Sequence, residues 1–250
     1  MNIAIITGAS SGLGREFVSQ IRDHFPEIQE YWVIARRTDR LQQLNVPGIL
    51  IRPISMDLTG NDYVNQLKDL LEESAPQVSL LINNAGCGYL GDFDQSSLDQ
   101  QMRMPMLNIC ALTAVTRSIL PYMSKGSRII NISSIASFVP NSRMTVYSAT
   151  KAYVSFFSRG LHEELRPRGI SVTAVCPGPM DTEFISVGGI KGHSKTFDIL
   201  PYCDPVKVVR GALKAAKKGH AVYTPRLFYK FYRVLSGLIP HAILVHAAKT

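Results

Sequence analysis

Short apolar runs at residues 3–6, 31–35, 49–54, 78–82, 129–132 and 171–175 alternate along the chain with segments whose apolar residues recur every three or four positions. Phe17, Ile21 and Phe25 form one such segment; Val64, Leu67, Leu70 and Leu71 form another. The runs are below helix length, and successive side chains of a strand point to opposite faces, so an unbroken apolar run needs cover on both sides. Strand, helix, strand, helix in that order predicts a parallel sheet with helices on both faces. No repeat, low-complexity tract or linker rich in Pro, Gly and Ser divides the chain, which predicts a single domain.

Several of these strands end in Gly, Asn, Ser or Pro-Gly, at residues 8–14, 83–86, 133–134 and 177–178. In a doubly wound α/β sheet ligands bind at the carboxyl ends of the strands, so the chemistry belongs there. Thr7-Gly8-Ala9-Ser10-Ser11-Gly12-Leu13-Gly14 follows the first strand and opens the first helix. A pyrophosphate needs free backbone N–H groups, a helix N-terminus and no Cβ in the way, and this segment meets all three needs. The alternative is a tight glycine-rich turn, against which the strand before and the helix after both argue. The second strand ends in Ala35-Arg36-Arg37, where a dinucleotide fold meets the adenosine ribose. An acidic residue there would accept from the ribose hydroxyls; arginines pair instead with a 2′-phosphate, so NADP(H) is favoured over NAD(H). Asp57, just past the third strand, is placed to accept from an adenine amino group.

Tyr147 and Lys151 are four residues apart, so a helix puts them on one side, a turn apart. An ammonium beside a phenol favours phenolate and predicts a lowered tyrosine pKa, hence an acid and base usable near neutral pH. Ser134, thirteen residues before Tyr147, ends a strand from which its hydroxyl reaches the same oxygen. Taken alone, the pair also fits an ordinary half-exposed helix face.

Charge changes the picture less than its size implies. The net +8 and pI near 9.4 would point to nucleic acid or an anionic membrane. Residues 1–203 balance, however, with 18 cations and 18 anions, and residues 204–250 hold nine cations against Asp204 alone. A neutral body with a basic end, without a helix-turn-helix, zinc-finger or RNP signature, predicts no nucleic-acid partner. Cys87, Cys110, Cys176 and Cys203 lie far apart without metal-ligand spacing, which predicts reduced core thiols and no metal site. No basic stretch precedes the apolar run after Met1, which predicts a cytoplasmic protein.

Together these motifs resemble the classical short-chain dehydrogenase/reductase family over residues 2–185, with the sheet pattern continuing to about residue 225. The TGxxxGxG pattern fits residues 7–14, NNAG fits Asn83-Asn84-Ala85-Gly86, and YxxxK fits residues 147–151. Asn108 matches the helix asparagine of the family's tetrad, and Pro177-Gly178 with Thr182 matches its PG motif. The resemblance implies a single Rossmann domain with a mostly parallel seven-stranded sheet at residues 1–225 and a helical C-terminal extension at 226–250. It implies that Gly8, Ser10, Ser11, Gly12, Leu13 and Gly14 frame the pyrophosphate and that Asn84, Ala85 and Gly86 brace the sheet beside the cofactor. Pro177, Gly178 and Thr182 would lie along the nicotinamide. Tyr147 would pass the proton, Lys151 would hold the nicotinamide ribose and tune Tyr147, Ser134 would orient the substrate oxygen, and Asn108 would hold a relay water. A homodimer or homotetramer is implied as well. Two departures stand out: Ser137, where the family often has glycine and which would narrow or polarise the pocket, and the connection at residues 26–29.

The segment 184–200, with Gly188, Gly189 and Gly192, resembles the family's variable lid over the substrate, and glycine hinges permit closure. Beyond it Leu227, Phe228, Phe231, Val234, Leu235 and Leu238 form a helical stripe with Arg226, Lys230 and Arg233 opposite. Such a stripe is most often core or subunit contact; a helix lying on an anionic membrane is the sharper alternative. The uncharged run at 234–248 is too short to span a bilayer. Lid and tail favour a hydrophobic carbonyl or alcohol, such as a steroid, a bulky ketone or an acyl chain, and the basic end would also suit an acidic acyl carrier. A non-catalytic NADP(H)-binding regulator would have lost Tyr147, Lys151 or Ser134, and all three remain. A serine hydrolase would need a histidine in triad order, and His24, His162, His193, His220, His241 and His246 sit in none that is recognisable.

Overall fold

The computed structural model describes residues 2–190 and 194–247. The order of elements is β1 (Asn2–Thr7), α1 (Gly12–His24), β2 (Glu30–Ala35), α2 (Thr38–Gln42), β3 (Leu50–Ser55), α3 (Tyr63–Ser74), β4 (Gln77–Asn83) and α4 (Leu98–Pro105). A π-helical stretch (Met106–Ala111) leads into α5 (Leu112–Ile119), followed by β5 (Arg128–Ile132), α6 (Thr145–Leu165), β6 (Ser171–Val175), α7 (Glu183–Val187) and α8 (Lys195–Ile199). Then come α9 (Pro205–Lys217), β7 (Val222–Tyr223), α10 (Leu227–Leu238) and α11 (His241–Ala247).

The seven strands lie in the order β3-β2-β1-β4-β5-β6-β7, every neighbour parallel. Side-chain alternation builds a core on each face. Ala4, Ile6, Tyr31 and Val33 turn to one side and meet Phe17 and Ile21 of α1 and Val209 and Leu213 of α9. Ile3, Ile5, Trp32 and Ile34 turn to the other and meet Leu67 and Leu71 of α3 and Val115 and Ile119 of α5. Each fully buried Val, Leu, Ile or Phe side chain among them contributes roughly 1.5–3 kcal/mol. Strand order reverses between β1 and β4, and the cleft that opens there at the carboxyl ends holds every motif singled out above.

β3 departs from the expectation of strands buried on both faces: it is the sheet edge, carries Pro53, and buries only Ile54. The connection at residues 26–29 is a tied corner. Ile28 is fully buried, the Gln29 N–H donates to Asn2 O at 3.0 Å, and Gln29 O accepts from Leu50 N at 3.0 Å, which seats β2 between its neighbours. Cys176 and Cys203 are buried, Cys87 is half-buried and Cys110 is exposed, so the reading of all four as core thiols fails at Cys110, which faces outward from the π-helical stretch.

The tail does not bury its apolar stripe. Tyr229 is the residue that anchors α10: it is fully buried, its hydroxyl donates to Pro201 O at 2.8 Å, and its ring lies where a Cβ on Gly178 would be. That orientation turns Leu227, Phe228, Phe231, Val234 and Leu238 to the outside, so the stripe is not core. Among the described residues no helix is long and apolar enough to cross a membrane.

Candidate active site

The glycine-rich loop is shaped by close approach. Gly8 has φ +67, and a Cβ on it would stand 2.8 Å from Asn84 Nδ2; one on Gly14 would collide with the Gly8 carbonyl oxygen. The first turn of α1 is thereby laid against the end of β1. Ser11 precedes that helix without capping it through its side chain, so the leading N–H groups stay open toward the cleft. Asn84 ties the loop to the sheet, its Nδ2 donating to Thr7 O at 3.1 Å and Gly8 O at 3.0 Å. Thr7 Oγ1 in turn accepts from the backbone N–H groups of Asn84 and Ala85 at 3.1 and 3.0 Å.

Tyr147 and Lys151 sit in the first two turns of α6, and both are buried. Gly88 leaves the space that the Tyr147 ring and Phe184 fill together, their ring centres 5.6 Å apart. Lys151 Nζ donates to Ile132 O at 2.8 Å and stands 5.7 Å from the centre of the Tyr147 ring. An ammonium has three donors, so two are left for other partners. Burial pushes the Tyr147 phenol up to about 12, although a hydrogen bond to Ser134 pulls it down, and burial brings Lys151 down to about 8. The lowered tyrosine expected from the four-residue spacing is therefore reversed in the protein alone, where desolvation is the largest influence and Lys151 Nζ is turned to Ile132 O. Ser134 Oγ accepts from Ala136 N at 3.1 Å, which orients the hydroxyl with its hydrogen toward the Tyr147 oxygen.

Asn108 lies on the π-helical stretch, behind the cavity wall. Its Nδ2 donates to Cys87 O at 2.8 Å and Thr150 Oγ1 at 2.9 Å, while its Oδ1 accepts from Cys87 N at 2.9 Å. Both amide hydrogens are occupied, so the side chain holds the strand end that carries Gly86 against α6. Inserted π turns of this kind recur at functional sites. Ser137 does not polarise the pocket as its position in the sequence implied: its hydroxyl turns back to Ser134 O at 2.6 Å.

At the far end Arg37 lies across the glycine-rich loop, Nε and Nη2 donating to Ser10 Oγ at 3.3 and 3.2 Å and Nη2 to Ser11 Oγ at 2.8 Å. Arg36 is exposed beside it at the cleft edge. Asp57 Oδ1 accepts from Thr59 N and Oγ1 at 2.9 and 2.7 Å, so its other oxygen is the one free to receive a ligand donor. Every site residue expected from the sequence except Gly14 and Asn108 lines one cavity of about 550 Å³, Ala85, Gly86, Pro177, Gly178 and Thr182 included; Gly14 and Asn108 support it from behind.

The sequence profile described as short chain dehydrogenase matches residues 2–187. The chain belongs to the short-chain dehydrogenase family. Among solved structures, a short-chain dehydrogenase from Sphingobium yanoikuyae in complex with NADPH is 30% identical, with a TM-score of 0.81, covering 95% of this chain and 93% of that one. The bulky-bulky ketone specific alcohol dehydrogenase from Comamonas testosteroni is also 30% identical, with a TM-score of 0.73 and the same coverage. By sequence, the very-long-chain 3-oxoacyl-CoA reductase of Homo sapiens is 32% identical over 186 residues, covering 70% of this chain. This chain spans 58% of that relative's length, less than two thirds.

This short-chain dehydrogenase also has site residues that sequence reasoning missed. Phe228, Tyr229, Tyr232 and Leu244 bring the tail into the cavity wall, which also holds Phe184 and Ile185 of α7 and Phe197 of α8. Arg103 of α4 faces the cavity with one guanidinium nitrogen buried and without a partner. Arg40 of α2 pairs with Glu183 of α7 at 2.5 Å. Helical spacing does not tell which face of a helix meets a cavity, so the sequence held no signal for the aromatic wall. Gly192, expected from the sequence as a hinge of the lid, lies outside the described residues.

Proposed function

We propose that the protein is an NADP(H)-dependent oxidoreductase that interconverts a ketone and a secondary alcohol on a hydrophobic substrate. The observation that carries this reading is the shared cavity: an anion-seeking end at Ser10, Ser11 and Arg37, and a buried Tyr147–Ser134–Lys151 end walled by aromatic and aliphatic side chains. The residues fit a dinucleotide, because Gly8 and Gly14 keep Cβ atoms out of the loop and the start of α1 offers N–H groups to a pyrophosphate. A bound nicotinamide supplies the hydride chemistry.

The chain's own part is proton and position. The Tyr147 phenol stays protonated at neutral pH and holds the hydrogen that a reduced carbonyl oxygen needs. Ser134 donates to that oxygen and fixes its place. Lys151 offers its two remaining donors to ribose hydroxyls, and Arg37 with Arg36 takes a 2′-phosphate. The two similar proteins named for a bulky ketone and for very-long-chain 3-oxoacyl-CoA support a bulky or long-chain ketone, an acyl thioester included.

The test is a screen of bulky ketones, steroids and 3-oxoacyl thioesters against small polar carbonyls, following NADPH absorbance. Turnover confined to the first group, with kcat/KM for NADPH more than about tenfold above that for NADH, about 1.4 kcal/mol, and a gap that shrinks in Arg37→Asp, supports the proposal. Equal efficiency with both cofactors removes the NADP(H) preference. We further propose a homodimer or homotetramer, read by light scattering. The outward apolar face of α10, flanked by Arg226 and Lys230, favours an anionic lipid surface as the place where such a substrate is met.

A further inference from the structure

Glu183 is the first residue of the lid helix α7, and its carboxylate reaches across the cleft to the far side of the sheet. Oε2 pairs with Arg37 Nη1 at 2.9 Å and Oε1 with Arg40 Nη1 at 2.5 Å, so each oxygen holds one arginine. Hydrogen bonds from Arg40 and Arg37 hold the carboxyl below its usual range, so it is an anion at neutral pH. The other donors of Arg37 go to Ser10 and Ser11, whose hydroxyls accept there and keep their own hydrogens for an anion. Thr182, just before Glu183, lies over the same loop: a Cβ on Gly12 would stand 3.6 Å from Thr182 Cβ.

Two guanidinium groups thus converge on one carboxylate, with the Ser10 and Ser11 hydroxyls held beside them by Arg37, and that donor set is what a phosphate monoester needs. We propose that Glu183 is a specificity-setting residue that competes with the 2′-phosphate of NADP(H) for Arg37 and Arg40, and so couples cofactor choice to the hold of the lid on α2. This rests on the reading that Arg37 receives the 2′-phosphate. A dianionic phosphate and a carboxylate on the same two cations repel each other, and the pairs are weak enough to exchange: all three side chains are 40 to 45% exposed, where ion pairs contribute little. A cofactor without the 2′-phosphate has nothing to displace Glu183 with and leaves α7 tied to α2.

Calorimetric titration of adenosine 2′,5′-bisphosphate and adenosine 5′-monophosphate into the wild type and Glu183→Gln tests this without turnover. The wild type binds the bisphosphate more tightly. Glu183→Gln tightens the bisphosphate by about three- to fivefold, the scale of an exposed charge interaction, and leaves the monophosphate within about twofold. Weaker or unchanged bisphosphate binding in Glu183→Gln, with the wild-type preference intact, overturns the competition alone; weaker binding of both ligands shows a clamp instead of a competitor. A wild type that binds the two ligands equally overturns the 2′-phosphate reading, and the competition with it.

Discussion

Lys151 Nζ stands 5.7 Å from the centre of the Tyr147 ring, one turn further along α6, and burial moves the two groups in opposite senses. Lys151 falls from 10.5 to about 8, so between those values the unfolded chain holds a proton that the folded one lacks, and stability rises with pH. Tyr147 rises from 10.0 to about 12, so between those values the folded chain keeps a proton that the unfolded one loses, and stability falls with pH. Urea melts across pH should show Lys151→Met lacking the rise above pH 8 and Tyr147→Phe lacking the fall above pH 10. Parallel pH curves for wild type and both variants would mean that neither group titrates as its burial requires.

The same protonated phenol sets the direction. Reduction needs Tyr147 with its hydrogen, so its rate should be flat from about pH 6 to 8, whereas alcohol oxidation needs the phenolate and should climb about tenfold per pH unit over that range. Initial rates in both directions check this; oxidation independent of pH would assign the base to another group.

Gly14→Ala places a methyl group against the Gly8 carbonyl oxygen and close to Asn84 Nδ2. Both are held by the loop's own hydrogen bonds and cannot give way cheaply. The expected cost is about 2 to 3 kcal/mol, a fall in Tm of about 5 to 10 °C. A thermal melt within 1 °C of wild type, to order of magnitude the noise of such a scan, would show that the loop relaxes freely.

How far the sequence could be read follows from what leaves a pattern in it. Strands buried on both faces appear as unbroken apolar runs, so β1, β2, β4, β5 and β6 were legible, and the motifs at their carboxyl ends located the cleft. The β3 run was read as doubly buried because an edge strand with apolar residues looks the same as a central one. β7, with only Val222 and Tyr223, is too short to carry a period. Arg40 and Glu183 lie 143 positions apart, and only the fold joins them. The raised Tyr147 pKa follows from burial, with Lys151 Nζ turned to Ile132 O, and the four-residue spacing reports neither.

The outward stripe on α10 gives a surface test. Wild type should sediment with vesicles containing anionic lipid and much less with neutral ones, and Phe231→Asp with Leu238→Asp should abolish this while leaving the melting temperature unchanged, since both side chains are exposed. No vesicle binding by the wild type removes the lipid surface and leaves a second copy of the chain as the occupant of that face.

The account turns on the Tyr147 hydroxyl as the source of the carbonyl proton, and Tyr147→Phe removes that oxygen with little change in shape. With NADPH and the best ketone from the screen, turnover should drop about a thousandfold while the Kd for NADPH stays within about threefold. Turnover within a few fold of wild type would contradict the account.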